Sequence, residues 1–220
     1  MKNLEDRVLF IDGESIVLDK PAGLAVHPGR TPSESVEDHL ADLRFGFARP
    51  PSPVHRLERD TSGCLLLARN PKAHKRFARA FEEGRVEKLY VAVLDGVPQS
   101  ASGRIALALK KVSSPEQGWR MVPDAKGQAA VTDWTLLDQR DGRSLVAFRP
   151  RTGRTHQLRV HAASGLGHAI AGDPVYGKGQ GPMLLHAAAL RVPRDPKPAI
   201  AVEAPWPPSF AEAGFSDDRS

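Results

Sequence analysis

The stretch from His55 to Gly63, HRLERDTSG, sets Arg56, Glu58 and Asp60 at alternating positions between the proline-rich loop Pro50-Pro51-Ser52-Pro53 and the apolar run Cys64-Leu65-Leu66-Leu67-Ala68. Charge is being held beside a core. A carboxylate in that place needs a cationic partner or it takes up a proton, so one of the arginines is expected to pair with it. A surface-loop salt bridge has the same composition, and composition alone does not separate the two readings. A second block points to phosphate. Between Gly142 and Gly172 there is no Asp or Glu, while Arg143, Arg149, Arg151, Arg154 and Arg159 all fall inside that window with His156, His161 and His168. Guanidinium groups offer a planar fork of donors suited to phosphate oxygens, so an unneutralised cluster favours an RNA or nucleotide surface with salt-sensitive binding. The competing reading is a basic surface strand with scattered ion pairs. The whole-chain balance leans the same way, with 31 Lys and Arg against 26 Asp and Glu giving a net charge of +5.

Other chemistries fit less well. His156 and His161 are five residues apart; if residues 156–160 form a strand, the two side chains fall on opposite faces, and no Cys or carboxylate lies close enough in sequence to complete a zinc motif. Cys64 opens the Leu run, where a free thiol behaves as a small hydrophobe rather than a nucleophile. As the only cysteine it excludes an internal disulfide. No apolar run approaches the eighteen or so residues of a membrane-spanning helix, and the opening MKNLEDRVLFIDGE does not read as a secretory signal. A cytoplasmic protein is expected.

The elements that must position these blocks can be read from periodicity and punctuation. Apolar residues on either side of Asp12-Gly13 predict a hairpin over residues 7–19 with a two-residue turn. Lys20-Pro21-Ala22-Gly23 then forces a turn of constrained shape. Residues 33–43 read as a short helix, with Val36, Leu40 and Leu43 on one face. The run 64–68 predicts a strand buried on both faces. After it, Asn70 can cap and Pro71 can open a helix whose stripe is Ala73, Phe77, Ala80 and Phe81, with Gly84 as its stop. Lys72, Lys75, Arg76 and Arg79 on its outer side read best as a solvated face, with phosphate contact the alternative. Strands are expected at 88–94, 103–109, 130–137, 144–149 and 156–160. That order predicts an α+β fold. No Ser/Gly-rich linker divides the chain, so residues 1–220 are expected to form a single domain with a frayed end from 216.

At this point the chain resembles a known family, the RluA family of pseudouridine synthases, over residues 8–210. IVLDKPAGLAVHPG at 16–29 is similar to the family's first block, HRLERDTSGCLLLARN from His55 to its acting block, and KLYVAV at 88–93 to its tyrosine strand. GRTHQLRVHAASGLGHAIAGDPVYG at 153–177 resembles its basic block, and LLHAAAL at 184–190 with EAPWPPSF at 203–210 its closing segments. The resemblance implies an α+β catalytic domain with a mixed, mostly antiparallel sheet flanked by helices and loops around a basic cleft. It also implies a cofactor-free, metal-free isomerase that cuts the N-glycosidic bond of a uridine in RNA, turns the uracil and rejoins it through C5. Glu58 then stands at the acting position, where the family has Asp. Tyr90 stacks on the uracil, Arg159 pairs with the carboxylate, and Leu158 forms an apolar floor. Arg56 holds the extruded nucleotide, and Arg154 and His55 are assigned to substrate binding. The glutamate puts its carboxylate one methylene further out, and ~1 Å of misplacement can cost on the order of 100-fold in rate. Weakened turnover is therefore expected, the alternative being a non-catalytic RNA-binding or RNA-folding protein derived from the family. The partner implied is an rRNA or tRNA stem-loop, with no DNA and no membrane, bound by a monomer. Only about fifteen residues precede Ile16, so the chain is similar to members without an N-terminal S4 domain.

Overall fold

The computed structural model describes residues 3–29, 33–116 and 118–217. In chain order the strands are β1 (Val8–Ile11), β2 (Ser15–Lys20), β3 (Ser52–Pro53), β4 (Ser62–Ala68), β5 (Glu87–Leu94), β6 (Ser102–Ala106), β7 (Leu109–Ser114), β8 (Gly118–Pro123), β9 (Val131–Arg140), β10 (Arg143–Pro150), β11 (Leu185–Arg194) and β12 (Lys197–Glu203). The helices among them are α1 (Pro71–Glu82), α2 (Gln157–Val160) and α3 (Pro208–Glu212). The class is α+β, with mixed, mainly antiparallel sheet structure and few helices. The chain divides into two compact units, Met1–Lys88 with Ala187–Trp206, and Leu89–His186 with Pro207–Ser220.

In the first unit β1, β2 and β4 run antiparallel, with Ile16 opposite Leu67, Leu18 opposite Leu65 and Lys20 opposite Gly63. β3 pairs with the far end of β4, and β12 runs antiparallel to β11. Every residue of β4 is buried, as a strand covered on both faces requires. α1 follows the sequence expectation closely: the Asn70 side chain accepts from the Ala73 N–H at 2.9 Å, Pro71 opens the first turn, and Gly84 stops it at φ +67°. Its Ala73, Phe77 and Ala80 enter a core with Val17, Leu66, Leu190 and Ile200.

Two local expectations shift here. The first hairpin turns on Gly13-Glu14, one residue later than Asp12-Gly13. The Asp12 carboxylate takes the corner by accepting from the Glu14 and Ser15 N–H groups, each at 2.9 Å. The helix expected over 33–43 is instead two short 3-10 turns, Val36–His39 and Asp42–Arg44. Asp38 Oδ2 accepts from both the backbone N–H and the hydroxyl of Ser35 at 2.9 Å, tightening the first turn, and of the expected apolar face Val36 and Leu43 are fully buried while Leu40 is not.

The second unit is built on β5-β10-β9-β6, all antiparallel, with a separate β7–β8 hairpin. The strand expected over 103–109 ends at Ala106, and Leu109 starts the hairpin. Phe148 sits opposite Tyr90 on one side and Trp134 on the other, inside a core of Ala92, Ile105, Phe148, Leu158 and Ile170. Residues 156–160 are not a strand. His156 takes a left-handed conformation (φ 52°), and Gln157–Val160 forms a helical turn running into a π-type turn, His161–Gly165. Gln157 explains the reversal of β propensity. Its Oε1 accepts from the Arg154 N–H (3.0 Å) and the Thr152 hydroxyl (2.7 Å), while its Nε2 donates to Val131 O (3.0 Å) and Thr132 Oγ1 (2.9 Å). A buried amide satisfied on both sides holds this segment in a turn.

Candidate active site

Glu58 opens a tight turn in the first unit, closed by the Thr61 N–H donating to Glu58 O at 3.1 Å. The first sequence block holds that turn from the side. Arg59 O accepts from Lys20 Nζ (3.0 Å) and from the Gly23 N–H (2.9 Å). Lys20 is fully buried, and its ammonium also donates to Pro21 O and Leu24 O, each at 2.7 Å. Burial pushes its pKa down to about 7 against the pull of Asp60 and Asp19. Sequence reading passed over Lys20 as a site residue. The only signal was the constrained turn that follows it.

The other end of the same block is also tethered. The Leu66 N–H donates to His55 Nε2 at 3.0 Å, and the His55 ring stacks on Phe81 with centroids 4.5 Å apart. Between these tethers Leu57 is buried, Glu58 is partly buried and Arg56 is exposed. Arg59 pairs with Asp60 at 3.3 Å at the surface. Gly63 stands at φ +104°, and a Cβ there would lie 2.3 Å from Ala187 O, so only glycine lets β4 begin where it does.

Two predictions follow from the tethers. Lys20→Met is expected to lower turnover on the order of 100-fold by freeing the Glu58 turn. Its melting temperature should move little, because losing three carbonyl partners is offset by relief from burying an ammonium. Steady-state kinetics beside thermal melts check both parts. His55 is held neutral by burial first and by nearby Lys88 second, which bring its pKa down to about 3. The unfolded chain protonates this histidine near its ordinary value while the folded chain does not, so stability falls as pH drops from about 6.5 toward 3. Urea unfolding at pH 7.5 and pH 5 should show this component as about 2 kcal/mol, absent in His55→Gln.

In the second unit Arg159 is buried and locked. Its Nε donates to Asp173 Oδ2 at 2.7 Å and its Nη2 to Asp173 Oδ1 at 2.6 Å, a bidentate pair with both partners almost out of solvent. Asp173 Oδ1 accepts further from the Val175 and Tyr176 N–H groups at 2.8 and 3.0 Å. Burial works to raise the Asp173 pKa, but Arg159 and these donors outweigh it and hold the carboxyl below its usual value. The Tyr176 ring lies 5.2 Å from the Arg159 guanidinium carbon, and its hydroxyl accepts from the Met121 N–H and bonds His156 Nδ1, each at 2.9 Å. Leu158 is buried in the unit's core, and Tyr90 packs partly exposed against that core. Arg154 is exposed and donates to Ala129 O at 3.1 Å.

The arginine window is not the unneutralised cluster that its sequence implies. Arg143 pairs with Asp95 (3.1 Å), Arg151 with Asp133 (2.7 Å) and Arg159 with Asp173. The acids arrive from outside the window through sheet register and the loop after it. Of the seven residues singled out, the structure places His55, Arg56 and Glu58 together in one tethered loop, and Arg154, Leu158 and Arg159 on one helical turn and its approach. The histidines have structural partners: His161 Nδ1 bonds Thr132 Oγ1 at 2.9 Å and is fully buried. Among the described residues no three His, Cys, Asp or Glu side chains are grouped to hold a metal ion. Burial pushes the Cys64 thiol up to about 12, so it is not a nucleophile at neutral pH.

A family model described as RNA pseudouridylate synthase matches residues 14–164, and the chain belongs to that family. Within it the chain is of the RluA type. It is 57% identical over 219 residues, 98% of this chain and the whole of the other, to an uncharacterized RNA pseudouridine synthase of Zymomonas mobilis. It is 36% identical over 178 residues to ribosomal large subunit pseudouridine synthase D of the same organism, covering 78% of this chain but 56% of that one. Among solved structures, human RNA pseudouridylate synthase domain containing 4 superposes with a TM-score of 0.82 at 26% identity, over 96% of this chain and 93% of that one. Human RNA pseudouridylate synthase domain containing 1 gives 0.76 at 31%, over 92% and 85%. The fold and family expected from the sequence blocks are those observed. No helix among the described residues is long and apolar enough to cross a membrane.

Proposed function

We propose that the chain isomerises uridine within a stem-loop of ribosomal or transfer RNA, acting as a cytoplasmic monomer with Glu58 as the acting carboxylate. Glu58 works on the ribose either by attack at C1′, forming an ester that breaks when C5 bonds to C1′, or by taking the C2′ proton, which it returns as the C1′–C5 bond forms. The C1′–N1 bond breaks, the uracil turns, and the C1′–C5 bond forms. The C5 proton leaves to solvent and N1 takes one up. Tyr90 stacks on the uracil and Leu158 lines the floor beneath it. Arg159, oriented by Asp173, steadies the carboxylate as an anion. Arg56 is exposed and suited to hold the backbone of a flipped nucleotide, with Arg154 on a further phosphate. His55 is a positioning residue that anchors the loop. Neither a metal nor an organic cofactor enters any step.

The observation that carries this reading is the double tether on Arg59 O. A fully buried lysine is uncommon, and here it spends one of its three protons on the residue after Glu58, which supports a turn built to hold that carboxylate still. The test is to incubate the native chain with unmodified ribosomal and transfer RNA and map pseudouridine by carbodiimide labelling. New modification at discrete uridines is expected. Modification by Glu58→Asp with none from the native chain would overturn the active-enzyme reading in favour of an RNA-binding derivative.

A further inference from the structure

A cavity of about 510 Å³ opens in the first unit where β4 ends and α1 begins, and nothing in the proposed reaction uses it. Its wall includes Phe47, Arg49, Arg69, Pro71, His74 and Lys75, and no carboxylate lines it. Arg69 is more than nine-tenths buried. Its guanidinium carbon sits 3.6 Å from the Phe47 ring centroid, and its fork donates to three backbone carbonyls, Asp12 O (2.7 Å), Arg44 O (2.8 Å) and Phe45 O (3.1 Å). Carbonyls fix the fork without cancelling its charge. Arg49 and Lys75 have no ion-pair partner among the described residues, whereas Arg76 and Arg79 on the same helix are paired with Glu14 and Glu83. Of the helix's cations without an ion pair among the described residues, Lys75 lines the cavity, where Arg49 joins it from the loop before β3.

The loop that brings Phe47 and Arg49 here reads Arg44-Phe45-Gly46-Phe47-Ala48-Arg49-Pro50. Phe45 and Phe47 are 41% and 38% exposed, and Phe45 is held at φ 42°, a conformation costly for a residue with a Cβ. Exposed aromatic rings interleaved with free cations are the combination that takes a base on its flat face and its phosphate on a positive charge.

From this juxtaposition we infer that the cavity is a second RNA subsite, which receives an unpaired nucleotide of the substrate away from the uridine being isomerised. Its base stacks on Phe47 and its phosphate lies between Arg49 and Lys75. Six residue steps along β4, about 20 Å, separate the cavity from the Glu58 end of the strand, so the nucleotide taken here lies several positions away. The inference rests on the RNA-modifying reading and adds to it how a particular RNA is chosen.

The test uses the full chain and labelled unmodified transfer RNA in fluorescence anisotropy. Arg49→Ala with Lys75→Ala is expected to weaken binding about tenfold and to flatten the log–log salt slope by nearly two. Phe47→Ala should weaken binding at least about fivefold with the slope unchanged, and Phe47→Tyr should restore it. In turnover on the same RNA, KM should rise and kcat hold. Circular dichroism melts matching the native chain show that the variants fold. Native-like affinity and slope in all variants would overturn the inference, as would losses confined to binding of anionic phosphatidylglycerol vesicles. If the native chain forms no pseudouridine but the variants still lose RNA affinity as stated, the synthase reading fails and the subsite stands. If turnover is present and affinity is indifferent to these residues, the reverse holds.

Discussion

Glu58→Gln is expected to lower single-turnover pseudouridine formation by at least about 1000-fold while leaving RNA affinity within about threefold of native. The glutamine keeps the length and polar shape of the side chain, so the turn closed by Thr61 and clamped at Arg59 O has no reason to move. What it removes is the anionic oxygen, the group that both candidate routes require at the ribose. A loss of turnover without loss of binding places the effect on the chemical step. A comparable loss in affinity would mean that Glu58 holds the loop rather than acts.

The second large effect is on stability. Asp173→Ala is expected to destabilise the protein by about 3–5 kcal/mol, because it leaves the Arg159 charge buried without its partner. Two Arg159 N–H groups and the Val175 and Tyr176 amides lose their acceptor at once. Arg159→Met alone should cost a similar amount by stranding the carboxylate. The double variant Arg159→Met with Asp173→Leu should cost less than the sum, since packed apolar groups can replace a buried pair at little penalty. Chemical denaturation of the three variants measures the coupling. The double variant should nonetheless be inactive, which separates holding the fold from steadying the carboxylate.

How far the sequence carries can be judged from individual residues. α1 was legible because each of its signals is local: a capping Asn70, Pro71, a stripe at helical spacing and Gly84. β4 was legible because an unbroken apolar run between turn residues has few other uses. The turn at 156–160 was not, because its cause is Gln157 reaching Val131 and Thr132, 26 and 25 residues back along the chain. The arginine window misled for a related reason. Its neutralising acids are adjacent in register and distant in sequence: Asp133 lies opposite Arg149 on the neighbouring strand and pairs with both Arg151 and Arg104. Asp173 is the first acid after the window, and nothing in its spacing says that it will lock Arg159.

The candidate site was legible in part. The HRLERDTSG block marked the loop, and the family blocks named Glu58, Tyr90 and Arg159. Lys20 was missed because a lysine beside a turn reads as exposed, and only folding shows that β2 ends by pointing it at the Glu58 turn. The RFGFARP loop was missed because its aromatics have no strand or helix period, and its meaning depends on Arg69 arriving from the end of β4.

The most direct measurement follows hydrogen at C5. Joining C1′ to C5 must release the hydrogen that C5 carried, so RNA transcribed with C5-tritiated uridine reports the reaction as tritium in solvent. Native chain is expected to release tritium with first-order kinetics up to a whole-number stoichiometry per RNA, and Glu58→Gln to release none above background. Equal release from the two proteins, or none from the native chain on any ribosomal or transfer RNA, would contradict the role given to Glu58.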